Sequence, residues 1–309
     1  NDSYIYNPFD LLWKSSLELN ELEGRKYKQG DHSDVEILES SFNYDFDNIS
    51  GRYDTSFLAM EENNLYLNID GIVSFNVREG NKIIWFKHND QIPPEDIKSF
   101  LLASAMGAVL IQRDFITMHG NALEKDGKCI VCLGNSGTGK STLAFALMQK
   151  GWSLLSDDLV AITKNGYVLP GIPRIKLWKD SIIEFGIDFT YLPKVRKQID
   201  KYILDNEMLN LQKKRTPISK FYFLSSNRSF SLNESENIIP VIDPKDKLIL
   251  LRNHIYRPRF YRGLNKEANI FLSLANLQQK IQCSMLKIPN GIINMKTFLN
   301  ESEFNKDEW

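Results

Sequence analysis

Cysteine is scarce. The 309-residue chain holds three, too few for a disulfide framework, and that usage fits a reducing cytoplasm. No sign of charge predominates: 38 Lys and Arg against 39 Asp and Glu leave a net charge of −1. A nucleic-acid partner is therefore not expected, since no global basic field exists to attract one. Long apolar runs are missing as well. The longest that matters, 100–111, has about twelve residues, whereas a membrane-spanning helix needs ~20. It predicts a buried helix and no membrane partner. The opening Asn1-Asp2-Ser3-Tyr4 shows no basic segment followed by an apolar one, so no signal peptide is expected. Internal repeats and low-complexity tracts are absent.

Cys129 and Cys132 form a C-x-x-C. Residues three apart on a strand point to opposite faces, and neither a second Cys pair nor a nearby His completes a metal site. Both are read as buried core thiols.

What the chain does have is Gly134-Asn135-Ser136-Gly137-Thr138-Gly139-Lys140-Ser141, which meets the phosphate-loop pattern G-x-x-x-x-G-K-[ST] at every fixed position. An apolar strand, 128–133, precedes it, and a helix-forming run, 142–150, follows it with Gly151 as a stop. Strand, glycine loop and helix are the context that the chemistry requires. The glycines let backbone N–H groups face an anion, and the helix N-terminus adds partial positive charge. Gly134 to Ser141, with Thr142 next in line, are expected to bind ATP. Lys140 should reach the β- and γ-phosphates, and Ser141 should offer its hydroxyl to Mg²⁺.

The remainder predicts a mixed α/β protein. Residues 1–92 read as a β-rich domain, with strands at 35–38, 65–69, 72–77 and 82–86 separated in part by turns at Asp70-Gly71 and 79–81. Residues 93–309 read as the phosphate-loop domain, opened by a helix from Pro93-Pro94 to about Arg113. A tight turn at Asp126-Gly127 should pair 115–123 with 128–133 as an antiparallel hairpin. That register places His119 opposite Gly134, beside the phosphate loop. Further strands are expected at 153–156, 159–162, 166–169, 220–224 and 285–288. Helices are expected near 245–253 and 266–281 and after Pro289-Asn290-Gly291. The basic residues Lys194, Arg196, Lys197, Lys201, Lys213, Lys214 and Arg215 are read as a charged helical face, with a docking surface for a peptide leader as the other reading.

Asp157-Asp158 follow Lys140 by only 17 residues. One short helix crosses the sheet and the next strand returns, delivering both carboxylates beside the loop. Two adjacent carboxylates can divide the work: one holds Mg²⁺ and the other accepts a proton from an attacking hydroxyl. Arg174, after the rigid Pro170-Gly171-Ile172-Pro173 turn, is a candidate contact to phosphate or a substrate carboxylate, with a surface arginine as the other reading. Arg252, Arg257, Arg259 and Arg262 read as a solvated loop, or as a site for phosphate or an acidic terminus.

Met118-His119-Gly120, the loop 134–141 and the segment 151–158 together resemble the HPr serine kinase/phosphorylase family. The resemblance covers roughly residues 96–180 and fades towards 300. It implies a phosphoenolpyruvate-carboxykinase-like core behind a smaller β-rich N-terminal domain. It also implies that Asp157 is the base, helped by His119, and that Asp158 joins Ser141 at Mg²⁺. Segment 170–178 looks like a divergent HPr-kinase-related branch. That branch includes lasso-peptide precursor kinases, which phosphorylate a C-terminal serine. Thr142 departs from the Glu usual after the loop serine, and the glycine-rich second signature has no counterpart. A one-way cytoplasmic kinase with a peptide or small-protein acceptor other than HPr is therefore the expectation. An HPr-type kinase, a small-molecule kinase and a nucleotide-gated ATPase without an acceptor are the rivals, and a homo-oligomer is left open.

Overall fold

The structure is a computed structural model describing residues 3–44, 49, 52–55, 57–196, 199–204, 206–225 and 237–305. It divides into two compact units, Asn1–Thr117 with Ile255–Ser273, and Met118–His254 with Leu274–Trp309.

The first unit is built on a nine-stranded sheet. Its strands are β1 (Tyr4–Tyr6), β2 (Trp13–Ser15), β3 (Gly24–Lys26), β4 (Val35–Glu39), β5 (Arg52–Thr55), β6 (Leu58–Glu61), β7 (Asn64–Ile69), β8 (Val73–Arg78) and β9 (Lys82–Lys87). They lie in the order β3-β1-β2-β4-β9-β8-β7-β6-β5. The pairs β2–β4 and β4–β9 are parallel and the rest are antiparallel. Period-2 alternation drives the strands: Leu65 and Leu67, Val73, Phe75 and Val77, and Ile83 and Trp85 are all buried.

Helix α1 (Pro94–Phe100), a π-turn (Leu101–Ala105) and α2 (Met106–Gln112) run on from one another. The expected opening helix of the second domain therefore belongs to the first unit. The buried Gln112 amide shows why. It accepts from Gly80 N and donates to Asn63 O and Val77 O, which ties the helix to the turns of the sheet. The division thus falls after Thr117, whereas the sequence suggested residue 92. Helix α6 (Pro258–Gly263), not foreseen, returns to this unit, where Tyr261 bonds Thr117. Arg257, expected in a loop cluster, donates to Ser104 Oγ. Arg252 lies in the other unit, so the four arginines do not form one site within either unit.

Strand β10 (Ile116–Met118) leads into the second unit. That unit contains β11 (Gly120–Lys125), β12 (Lys128–Leu133), α3 (Lys140–Met148), β13 (Ser153–Asp157), β14 (Val160–Ile162), β15 (Tyr167–Val168), β16 (Lys176–Trp178), α4 (Lys179–Glu184), β17 (Lys194–Arg196), β18 (Ile199–Ile203), β19 (Thr216–Ser225), β20 (Ile238–Pro240) and α5 (Pro244–Asn253). After α7 (Glu267–Gln278) come β21 (Gln282–Lys287) and α8 (Ile292–Glu301). The main sheet runs β14-β15-β19-β12-β11-β13, with β21 on β19 and β20 on β21. It is mixed: β12–β19 and β19–β21 are parallel, while β11 is antiparallel to both neighbours. Leu143, Leu147, Trp152 and Tyr222 help to fill the core beneath it.

The β11–β12 register runs from Gly120↔Leu133 to Lys125↔Lys128, as the turn predicted. Asp126 and Gly127 both take positive φ, 55° and 79°, the pairing that closes a two-residue hairpin. The basic stretch 194–215, expected as a helix, instead contains β17 and β18, which form a three-stranded sheet with β16 in the order β16-β18-β17. Buried Tyr202 between more exposed Lys201 and Ile203 is a strand pattern too short to read against the surrounding charge. Lys197 and the polar stretch 226–228 lie outside the described residues.

Gly120 has a structural duty here. A Cβ there would lie 2.4 Å from Cys132 O, a rigid backbone atom. Gly120→Ala is expected to cost about 2–3 kcal/mol of stability, read by urea denaturation. An unchanged midpoint would contradict this packing.

Candidate active site

The phosphate loop leaves the buried end of β12. Gly137 and Gly139 take φ of +82° and +86°, left-handed conformations that suit glycine. Lys140 is 9% exposed, and its Nζ donates to Gly134 O (2.7 Å) and Asn135 O (2.9 Å). The lysine therefore spans its own loop and holds it curled. Asn121 Nδ2 donates to Lys140 O at 2.7 Å, anchoring the loop end of α3 to the hairpin. Thr142, grouped with the loop in sequence, shares a 3.2 Å hydrogen bond with Ser181 of α4. Its side chain is thus engaged with α4.

Strand β13 delivers the aspartates. Ser141 Oγ lies 3.4 Å from both Asp157 carboxylate oxygens. Asp158, expected beside Ser141, places Oδ2 2.6 Å from Lys176 Nζ; the carboxylate that reaches Ser141 is that of Asp157. Asp158 adopts φ +66°, a strained backbone of the kind that persists where surroundings hold it at a functional site. His119 Nδ1 lies 3.2 Å from Asp158 O. A carbonyl only accepts, so Nδ1 is the donor.

These environments drive the two carboxylates apart. Burial, reinforced by the charge of Asp158, pushes Asp157 up from 3.8 to about 7. Burial also opposes ionisation of Asp158, but the Lys176 charge and hydrogen bond outweigh it and hold Asp158 well below the usual carboxylate range. Burial lowers both Lys140 and Lys176 from the ordinary lysine value. Separated titrations of this sort distinguish a proton acceptor from a permanent anion.

A pH dependence follows. An acid whose pKa is higher folded than unfolded carries the extra proton in the native state, so its stabilising contribution is lost as pH rises through that window. For Asp157 the window runs from 3.8 to about 7, and the full effect is at most about 4 kcal/mol. Melting curves of the metal-free protein should fall across this range, and Asp157→Asn should flatten the fall. Parallel curves for the two proteins would contradict the assignment.

Arg174 is 6% exposed, which removes the surface-arginine reading, and its charge bears on Asp158. His119, Lys140, Ser141, Asp157, Asp158 and Arg174 therefore gather in one unit. Lys176 and Asn121 are not singled out in sequence, and Lys201 is read there only as part of a charged face. Lys176 stands two positions after Arg174, and Asn121 two after His119 on the hairpin strand; alternation is the signal that finds each.

Among the described residues, no group of three or more His, Cys, Asp or Glu side chains is placed to hold a metal, and all three cysteines are buried and free. The donors on offer are a hydroxyl and two carboxylates. Hard oxygens in this small number suit Mg²⁺, which keeps several waters and takes phosphate oxygens as ligands. No helix among the described residues is long and apolar enough to cross a membrane.

No family model matches the chain. Among curated proteins it is 45% identical over 51 residues to the HPr kinase/phosphorylase of Caldanaerobacter subterraneus subsp. tengcongensis, covering 16% of this chain and 17% of that protein. It is 25% identical over 183 residues to the HPr kinase/phosphorylase of Prosthecochloris aestuarii, covering 52% and 53%. The matched region is thus about half the length of the second relative and far less of the first. The solved Hpr(Ser) kinase/phosphatase from Coxiella burnetii aligns with 60% of this chain and 94% of its own at 13% identity and a TM-score of 0.30, a likeness too slight to carry an argument. In sequence, the chain is HPr kinase-like.

Proposed function

We propose that this protein is an ATP-dependent, Mg²⁺-requiring kinase that transfers the γ-phosphoryl group to a serine hydroxyl on a peptide or small protein. The narrowest case is the C-terminal serine of a ribosomally made, lasso-type precursor peptide. One observation carries the reading: the P-loop serine and lysine share a unit with two adjacent aspartates whose proton affinities are driven apart. The likeness to HPr kinase/phosphorylases supports it.

In this reading the loop amides and Lys140 bind the β- and γ-phosphates. Ser141 and Asp158 would hold Mg²⁺, Asp158 because it stays ionised although Asp157 stands nearer Ser141, and the ion would neutralise charge on the phosphates. Asp157 takes the hydroxyl proton as the hydroxyl attacks phosphorus and the bond to the leaving ADP oxygen breaks. His119, fixed through Nδ1 to the Asp158 carbonyl, helps to orient the acceptor side. The buried free cysteines agree with a reducing cytoplasm.

The assignments separate in the laboratory. Asp158→Asn should weaken the Mg²⁺ dependence of ATP binding, whereas Asp157→Asn should leave it intact. The reverse pattern would exchange the two roles. A nucleotide-gated ATPase would release inorganic phosphate at one rate with or without serine peptides. A kinase passes the label to the peptide.

A further inference from the structure

The small sheet β16-β18-β17 has two unlike faces. Leu177 and Tyr202 are register partners and belong to the core. By strand alternation, Lys176, Trp178 and Lys201 lie on the opposite face, where Trp178 and Lys201 are partners. Lys176 meets Asp158 at 2.6 Å. Lys201 Nζ stands 5.6 Å from the Trp178 ring centroid, and Trp178 is 49% exposed. The face therefore starts at the aspartate pair and extends to solvent.

Its charge is not balanced locally. Lys176 is paired with Asp158. The side chains of Lys201 and Arg174 make no ion pair or hydrogen bond with a described residue, although Lys201 lies within electrostatic reach of Lys140, Asp157 and Asp158. Two cations beside a transfer site call for an anion. Contacts run from Ser141 to Asp157 and from Asp158 to Lys176, so the aspartates link the phosphate loop to this face. A nucleotide on the loop is served by Lys140 and Ser141. In-line transfer sets the acceptor opposite the leaving group.

We infer that the Lys176–Trp178–Lys201 face, with Arg174, is the acceptor site, and that it takes a carboxylate carried next to the accepting hydroxyl, as an acidic side chain or a chain terminus. The inference rests on the kinase reading for the hydroxyl. Trp178, with Lys201 over its ring, adds a flat, rigid surface for the adjoining peptide.

The test uses fluorescent decapeptides with the full protein, Mg²⁺ and a non-hydrolysable ATP analogue, read by anisotropy. One pair has a central serine flanked by Asp or by Asn. The other ends in serine as the free carboxylate or as the amide. The carboxylate member of at least one pair should bind about tenfold or more tightly. Lys201→Met and Trp178→Ala should each shrink that preference to about threefold or less, while affinity for a fluorescent ATP analogue moves by less than about twofold. Equal binding or no binding within both pairs would overturn the site. So would a preference that survives Lys201→Met, or a matching loss of nucleotide affinity. ATP then separates the two ideas. Carboxylate preference without transfer leaves the site standing and removes the kinase, and transfer without preference does the opposite.

Discussion

Asp157→Asn is expected to lower phosphoryl transfer by about three orders of magnitude while MgATP affinity stays within about threefold. The loss has one source. The amide keeps the volume of the carboxylate but cannot accept a proton from an attacking hydroxyl. Burial makes the carboxylate a competent acceptor at neutral pH, because it raises Asp157 to about 7; an aspartate near its ordinary value would be a weak base there. Binding should survive, because the Lys140 ammonium is held by Gly134 O and Asn135 O and not by the Asp157 carboxylate. The split between rate and affinity is the informative readout. A variant that transfers at near the parent rate removes Asp157 as the base, and a variant that loses ATP places its carboxylate at the metal.

Lys140→Met should weaken ATP binding by about 10²–10⁴-fold. Each charge-assisted hydrogen bond to phosphate contributes roughly 1.5–3 kcal/mol, and the loss of two such contacts corresponds to that factor. The methionine stem keeps the packing of the buried lysine chain. What disappears is the ammonium that bridges Gly134 O and Asn135 O and would meet the nucleotide. Titration of a fluorescent ATP analogue measures the loss, and a thermal melt run beside it shows whether the loop has collapsed. Parent-like affinity would mean that the loop does not hold the triphosphate.

The hairpin and the phosphate loop are legible in sequence because their signals are local. Asp126-Gly127 sets the register, and Gly137 and Gly139 sit where positive φ is required. The boundary between the units is not legible. The helix after Pro94 reads as the start of a domain, and only the hydrogen bonds of Gln112, reaching back 32 to 49 residues, reveal where it packs. The segment 194–203 misleads because its strands are short and their exposed positions are charged. At the site, Asp157, Asp158 and His119 can be named from spacing, but the pairing of Asp158 with Lys176 depends on a sheet assembled from residues 176 to 203. Lys201 becomes visible only once β16 and β18 are aligned.

The central claim is that the γ-phosphoryl group ends on a serine hydroxyl. Incubating the protein with Mg²⁺, γ-labelled ATP and serine peptides, then mapping the product by tandem mass spectrometry, tests it most directly. The account predicts one added phosphate on serine, absent with the Asp157→Asn protein. Label released only as inorganic phosphate, with every peptide unmodified, would contradict it.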